Sequence, residues 1–314
     1  MPRPVPAVLS IAGSDSGGGA GIQADLKAFA RCGVHGMTAL TALTAQSTVG
    51  VDAIHPVPGE FVVAQVRAVA EDIGVDAVKI GMLGTAETVQ AVRAALELLE
   101  PDTPVVLDPV MVAESGAVLL DDAARRAIVY ELLPLATVIT PNLPEARVLT
   151  GDGEAARAEA RGERPRVGGD GPSRSDRGDA TDPTPEALAR ALHTLGPAAV
   201  VVTGGHRAQA TDVFFDGETL ELIPGERHPD GAAHGSGCTH SSALAAHLAL
   251  GLTPLGAARE AKRIAAEAVR DGLRGLGAGP GPVDVLGLTH RAASASVGAG
   301  IAPGGLPGHD IIAP

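Results

Sequence analysis

The chain has 314 residues, of which 37 are acidic and 24 basic, and its formal net charge is −13. This balance excludes a nucleic-acid-binding protein that neutralises phosphates with a basic face, and four Phe, one Tyr and no Trp are too few for base-stacking platforms. The chain has two distant cysteines, Cys32 and Cys238, and lacks a charged, apolar leader, which together predict a protein of the reducing cytoplasm. A membrane span is not predicted, because the sequence has no run of about 18 apolar residues.

Strands and helices alternate along most of the chain. An apolar run at 5–12, a glycine-rich turn and a helical pattern at 22–32 predict the first strand, turn and helix. Further strands are predicted near 36–44, 51–57, 76–80, 104–108, 136–140 and 198–203. Helices are predicted near 59–73, 85–99, 121–133, 143–149 and 184–195. This alternation indicates an α/β fold with a mostly parallel sheet that is covered on both faces.

The rest of the chain departs from this alternation. Asp216-Gly217 within the apolar stretch 213–222 predicts a hairpin and therefore an antiparallel edge, and two Ala-rich helices follow near 237–250 and 254–274. Residues 151–183 carry eight acidic residues and six arginines with almost no large apolar side chain, which predicts a disordered insertion. Residues 288–314 are rich in Gly, Ala and Pro and are predicted to form a flexible tail.

The strongest local motif is HGSGCTHSS at 234–242, followed by a helical run. Gly235 and Gly237 leave backbone N–H groups uncovered, and the helix N-terminus directs further N–H groups to the same point, which favours an anion site. Cys238 is expected at this N-terminus with a lowered pKa, able to act as a base or nucleophile. An ordinary helix cap with a small buried cysteine remains equally compatible with the string. A zinc site of His234, Cys238 and His240, with or without His228, is a weaker alternative because no paired C-x-x-C motif accompanies it.

A second glycine-rich segment, 13–25, follows the first strand directly. It lacks the Lys-Ser/Thr ending of a Walker A loop and the glycine spacing of a dinucleotide fingerprint, so both of these sites are excluded here. Its five glycines still indicate a place where backbone lies against a ligand, and Asp25 is available to accept hydrogen bonds from that ligand. A tight turn with a surface acid is the structural alternative.

Polar residues follow several predicted strands, at the edge where parallel sheets collect ligands. They include Gln46, the Lys79-Ile80-Gly81-Met82 segment, Asp108 and the Asn142-x-x-Glu145 pair. Asp108 and Glu145 are suited to hold Mg²⁺ through water, although Asp-Pro and Asn-x-x-Glu are also common turn and helix-start devices.

Taken together, these segments resemble the hydroxymethylpyrimidine/phosphomethylpyrimidine kinases of thiamin biosynthesis, in the ribokinase-like superfamily. The matching strings, in family order, are AGSDSGGGAGIQADLK (12–27), TALTAQST (41–48), KIGML (79–83), LDPVM (107–111), ITPNLPEA (139–146), TGGH (203–206), HGSGCTHSSALAA (234–246) and GPVDVL (281–286). The resemblance implies a three-layer α/β/α fold with a single kinase domain at 1–287, interrupted by the insertion. It also implies an ATP-dependent kinase that phosphorylates the hydroxymethylpyrimidine and then its monophosphate.

The same resemblance assigns roles to residues. The pyrimidine would lie among Gly13, Asp25, Gln46, Met82 and Val110. An anion hole would be formed by Gly235, Ser236, Gly237 and Cys238, with Cys238 also accepting the hydroxymethyl proton. ATP and its phosphates would contact Asp108, Asn142, Glu145, Thr203 and Gly205, and Asp108 and Glu145 would serve Mg²⁺.

The sequence also departs from the family pattern. Thr203 stands where many relatives have Lys, Ser236 stands where they have Thr, and Ala232-Ala233 replace an Asn-Thr pair. Two other functions stay open at this point, a pyridoxal or pyridoxine kinase of the same fold and a non-catalytic pyrimidine-phosphate sensor. We further expect a cytoplasmic homodimer that binds neither nucleic acid nor membrane.

Overall fold

The structure, a computed structural model, describes residues 4–113, 116, 119–160, 182–204, 210–229 and 231–292, with the backbone alone for 152–160. Nine strands form one sheet in the order β3-β2-β1-β4-β5-β6-β7-β8-β9. The strands are β1 (Ala7–Asp15), β2 (His35–Gln46), β3 (Val51–Pro56), β4 (Ala77–Ile80), β5 (Val105–Leu107), β6 (Val138–Ile139), β7 (Ala199–Val202), β8 (Asp212–Phe215) and β9 (Leu220–Ile223).

Each predicted helix is present in the structure. The helices are α1 (Gly21–Cys32), α2 (Gly59–Asp72), α3 (Ala86–Leu96), α4 (Asp122–Ala127), α5 (Leu143–Ala160), α6 (Pro185–His193), α7 (Ser236–Ala249) and α8 (Pro254–Arg270). A π-helical turn at Ile128–Leu132 and a 3₁₀ turn at Leu133–Leu135 continue α4. No helix among the described residues is long and apolar enough to cross a lipid bilayer.

The sheet is parallel in its centre and antiparallel at both edges. Strands β2, β1, β4, β5, β6 and β7 pair in parallel, β3 pairs antiparallel to β2, and β8 and β9 continue antiparallel from β7. The hairpin at 213–222 is therefore confirmed, but a second antiparallel edge was not predicted. Only residues 47–50 join β2 to β3, and so short a connection allows a hairpin but no parallel crossover.

Helices cover the sheet in two layers because alternate strand residues face opposite sides. Leu9 and Ile11 of β1 belong to the apolar cluster that contains the buried residues of α2 to α6. Val8 belongs instead to the cluster with Phe29 of α1 and the buried residues of α7 and α8. The predicted three-layer α/β/α architecture is confirmed.

The predicted disordered insertion begins too early. The backbone of 151–160 continues helix α5, in keeping with the helix-favouring Ala, Glu and Arg residues of this stretch. Residues 161–181, the rest of the insertion up to Asp182, lie outside the described residues. Residues 288–292 of the predicted tail form a helical turn, and 293–314 lie outside the described residues.

Candidate active site

A cavity of about 410 Å³ lies at the carboxyl edge of the parallel strands. Most of the residues that the sequence singled out line it together. These are Gly13, Gln46, Met82, Asp108, Val110, Asn142, Glu145, Thr203, Gly235, Ser236, Gly237 and Cys238. Gly205 lies outside the described residues, and Asp25 does not line the cavity.

The turn before α7 presents free backbone N–H groups to the cavity. Gly235 caps the helix with a φ of +85°, and a Cβ there would lie 1.8 Å from the carbonyl oxygen of Gly19. The Ser236 N–H is used by the Ala233 carbonyl, at 3.0 Å. In the described part of the chain the N–H groups of Gly237 and Cys238 have no acceptor. This is the arrangement expected for an anion site at a helix N-terminus.

Asp15 organises the first glycine loop and joins it to the α7 turn. Its carboxylate accepts hydrogen bonds from the backbone N–H groups of Gly17, Gly19 and Ala20, at 2.8–3.0 Å. His234 Nε2 lies 3.1 Å from Asp15 Oδ2. Burial raises the pKa of Asp15, but the His234 contact and the loop N–H groups outweigh it and hold the pKa below its ordinary value. The two glycine-rich segments are thus tied together by a carboxylate that the sequence analysis did not single out.

Asp25 has a different place from the one predicted. Its side chain is fully buried beneath the cavity wall and accepts hydrogen bonds from Ser10 (2.6 Å), Ser242 (2.7 Å) and Lys79 (2.9 and 3.1 Å). These donors occupy both carboxylate oxygens, and of the three Lys79 is the one that lines the cavity, so Asp25 holds Lys79 at the cavity wall. The sequence analysis placed Asp25 directly beside the substrate, whereas the structure places it behind a lysine that β4, far away in sequence, inserts in front of the carboxylate.

Cys238 lies where the sequence predicted but with the opposite pKa shift. It is the third residue of α7, unbridged and partly exposed to the cavity. Desolvation by the surrounding protein raises the pKa of the thiol to about 12, although Lys79 and the Gly21 N–H act to lower it. In the ligand-free protein, α1 and β4 pack around the N-terminus of α7 and remove water from the thiol. This desolvation raises the pKa of Cys238 by more than the helix N-terminus lowers it.

Two carboxylates, Asp108 and Glu145, lie on the cavity wall between β5 and α5. Asp108 accepts a 2.8 Å hydrogen bond from Ser241 of α7, and burial raises its pKa. Burial and the nearby charge of Asp108 raise the pKa of Glu145 to about 8. Asn142 and Glu145 also bond to each other's backbone N–H groups at 2.9 Å, which is the reciprocal cap of a helix start. The helix-start alternative is therefore correct for this pair, and both residues still face the cavity.

A further buried cluster, missed by the sequence analysis, lines the end of the cavity beside Thr203. Asp212, at the start of β8, binds Lys262 Nζ of α8 at 2.6 Å and the Gly204 N–H at 2.8 Å through the same oxygen. His240 Nε2 lies 3.2 Å from the other oxygen of Asp212. Lys262 therefore supplies a cation directly beside the β7 end. Its signal in the sequence was a lysine on the apolar face of an amphipathic helix.

The opposite end of the cavity is lined by the predicted ring-binding residues. Gly13 packs closely against Met82, and a side chain at Gly13 would not fit, since its Cβ would lie 2.5 Å from the Met82 Cε. The Gln46 Oε1 accepts a hydrogen bond from Thr44 at 3.1 Å, and its amide nitrogen has no partner among the described residues. Thioether, aliphatic and amide groups therefore meet at this end.

The zinc alternative is not supported. His234 contacts Asp15 and His240 contacts Asp212, so neither ring is directed at Cys238 in a shared cluster. Across the described ranges, no group of three or more His, Cys, Asp or Glu side chains is placed to hold a metal ion.

Comparison with known proteins gives consistent matches. The family model described as phosphomethylpyrimidine kinase matches residues 15–164 and 177–284. A hydroxymethylpyrimidine/phosphomethylpyrimidine kinase of Rhizobium meliloti is 45% identical over 279 residues, which are 88% of this chain and 95% of the relative. The structure of Staphylococcus aureus pyridoxal kinase in complex with AMP-PCP and pyridoxal is 32% identical with a TM-score of 0.72, covering 90% of this chain and 94% of that one. Phosphomethylpyrimidine kinase of Clostridium difficile 630 is 34% identical with a TM-score of 0.65, covering 84% and 99%.

Proposed function

The chain belongs to the phosphomethylpyrimidine kinase family, and we propose that it uses ATP to phosphorylate 4-amino-5-hydroxymethyl-2-methylpyrimidine first to the monophosphate and then to the diphosphate, for thiamin biosynthesis. The observation that carries this proposal is the meeting of an anion-binding turn, a thiol and two carboxylates in one cavity. These are the parts that phosphoryl transfer to a hydroxyl requires, since the enzyme's main tasks are to position the groups and to offset their charge.

ATP is placed by the α7 turn and the Thr203 end of the cavity. The free N–H groups of Gly237 and Cys238 suit the phosphate oxygens that carry the negative charge. Thr203 is uncharged. The positive charge at this end of the cavity comes from Lys262, which binds Asp212, and Asp212 in turn binds the Gly204 N–H just after β7. We infer that Lys262 takes over part of the charge neutralisation that the family pattern assigns to a lysine at position 203.

The residues present fit a magnesium ion. Asp108 and Glu145 offer carboxylate oxygens, burial raises the pKa of each, and the buried Thr140 hydroxyl beside them has no partner among the described residues. When bound, Mg²⁺ would neutralise charge on the phosphates. Asp108 and Glu145 would hold it, in part through water, since two side chains cannot fill its coordination shell.

Cys238 acts as the proton acceptor for the first phosphorylation. A hydroxymethyl group must lose its proton as its oxygen bonds to phosphorus, and a positioned base contributes about 10²–10⁴-fold to such a step. The acceptor of the second phosphorylation is already an anionic phosphate. Replacement of the thiol should therefore slow the first step much more than the second.

A pyridoxal kinase is the second candidate, and one observation favours it. The chain is 32% identical to the S. aureus pyridoxal kinase with close agreement of fold, and Gln46 with Met82 can receive either ring. Higher identity to the pyrimidine kinases, 45% over 88% of the chain, favours the pyrimidine.

We also propose a cytoplasmic homodimer. Two free cysteines suit a reducing compartment, and the exposed apolar side chains Leu43, Val49 and Ile54 lie at the β2–β3 edge, where a second copy can cover them. Light scattering at micromolar concentration measures the mass directly, and a monomer would reject this part.

The function is tested by product analysis of the purified protein with Mg-ATP. Hydroxymethylpyrimidine, its monophosphate and pyridoxal are offered in separate reactions, and kcat/KM is measured for each. We expect monophosphate and diphosphate from the first two and a much lower kcat/KM for pyridoxal. A preference for pyridoxal would make the second candidate correct, and turnover of none would reject both.

A further inference from the structure

Lys79 is a fully buried lysine whose ammonium group lies at the wall of the cavity. Its side chain and that of Asp25 are both 0% exposed, and Nζ lies 2.9 and 3.1 Å from the two Asp25 oxygens. The absence of a side chain at Gly81 makes room for it, because a Cβ there would lie 2.8 Å from Nζ. A buried charge is costly, so its retention at a cavity wall calls for an explanation beyond stability.

The surroundings keep Lys79 charged. Burial alone would lower its pKa, but the negative charge of Asp25 outweighs burial, and the pKa is raised above its ordinary value. The Asp25 side chain also accepts hydrogen bonds from Ser10 and from Ser242, which is on the same helix as Cys238. The Lys79–Asp25 ion pair is therefore attached to the first turns of α7.

Cys238 lies close to this pair, because Cys238 and Lys79 line the same cavity and Ser242, one helical turn after Cys238 on α7, holds the Asp25 oxygen that contacts Lys79. The charged groups around its thiol are Lys79 at the end of β4, Asp25 on α1 and Asp108 after β5, and the Gly21 N–H points to it as well. Among these charged groups only Lys79 favours the thiolate, while Asp25 and Asp108 oppose it. Lys79 is thus the charged group that opposes the effect of burial on the thiol.

We propose that Lys79 is a positioning residue that stabilises the Cys238 thiolate from which the first phosphorylation begins. This inference rests on the function proposed above. The thiolate takes the proton of the hydroxymethyl group while the oxygen of that group bonds to the γ-phosphorus. The bond from the γ-phosphorus to the bridging oxygen breaks, and its electron pair leaves with ADP. The thiol then returns its proton to solvent before the next turnover.

The test measures the reactivity of Cys238 with iodoacetamide, because only the thiolate reacts. A Cys32→Ser background leaves Cys238 as the single thiol, and mass spectrometry follows its alkylation at pH 8 and 9 without substrate. Lys79→Met should slow alkylation by about tenfold or more, the effect of one pKa unit. Asp108→Asn should accelerate it, because this change removes a negative charge that opposes the thiolate while Asp25 still holds Lys79 in place.

Opposite directions in the two variants distinguish electrostatics from loss of packing, which would shift both the same way. An unchanged rate in Lys79→Met, or equal directions in both variants, would overturn the proposal. Lys79→Met leaves Asp25 buried without its cation, so Lys79→Met/Asp25→Asn, which contains neither charge, keeps the test valid if the single variant does not fold. In the double variant, alkylation of Cys238 should be slower than in the wild type, and kcat of the first phosphorylation should reach its maximum at a higher pH.

Failure of this inference is separable from failure of the proposed function. If Cys238→Ala retained the first step, Cys238 would not be the base, yet alkylation would still report whether Lys79 controls its ionisation. If alkylation were independent of Lys79 while Cys238→Ala lost the first step, Cys238 would still be the proton acceptor, and the role proposed for Lys79 would be wrong.

Discussion

The stability of Glu145→Gln relative to the wild type should rise as the pH of the ligand-free protein rises from 6 to 8. Burial and the charge of Asp108 raise the pKa of Glu145 to about 8, whereas in the unfolded chain the side chain ionises near 4.5. Between these values the folded state binds a proton that the unfolded state has lost, so wild-type stability falls as the pH rises toward 8. Each pH unit changes the free energy of unfolding by at most about 1.4 kcal/mol, and less near pH 8, where the folded side chain is half ionised. Over two pH units, the difference in free energy of unfolding between variant and wild type should therefore change by about 2 kcal/mol.

Urea unfolding at pH 6, 7 and 8 measures this difference by linear extrapolation. The variant also loses an acceptor for the Asn142 and Met111 N–H groups, but that cost is the same at each pH and does not enter the trend. Glu97→Gln, on the exposed end of α3, is the matched control and should show no trend. A difference between Glu145→Gln and wild type that stays constant from pH 6 to 8 would refute the reasoning about the buried carboxylate.

Two further predictions concern the turn before α7 and Lys262, the cation beside the β7 end. Gly235→Ala should lower stability by more than about 2 kcal/mol, because its φ is +85° and the new Cβ would lie 1.8 Å from a carbonyl oxygen of the glycine loop. Gly237→Ala, which has open space around its Cβ, should leave the melting temperature within about 3 °C, and an equal loss in both would show that the contact is not the cause. Lys262→Met should raise KM for ATP by about tenfold or more, since hydrogen bonds to charged groups contribute about 1.5–3 kcal/mol, while KM for the pyrimidine should change little. Arg263→Met, on the exposed side of α8, serves as its control, and an unchanged KM for ATP in Lys262→Met would place the phosphates elsewhere.

The fold and most of the cavity could be predicted from local sequence. Polar residues that directly follow buried apolar strands, such as Gln46, Asp108 and Asn142, converge because parallel strands end at one edge of the sheet. The HGSGC string begins a helix at that same edge, as its glycines and the Ala-rich run after it indicate. These features need only the alternation of strands and helices.

What the sequence could not provide depends on contacts between distant segments. Lys79 and Asp25 are 54 residues apart, and the lysine comes to lie in front of the carboxylate because α1 packs on β1 and β4 pairs with β1. Lys262 and Asp212 are 50 residues apart, and neither forms a motif. The direction of the Cys238 pKa shift was wrong for the same reason, because desolvation is set by all the segments that surround the thiol.

The role of Cys238 is tested most directly by comparing Cys238→Ala with the wild type in both phosphorylation steps, using Mg-ATP and single-turnover product analysis. If Cys238 is the proton acceptor, phosphorylation of the hydroxymethyl group should fall by about 10²–10⁴-fold, and phosphorylation of the monophosphate by less than about tenfold. Equal loss in both steps would show that Cys238 serves the anion site alone, and full retention of the first step would show that another group takes the proton.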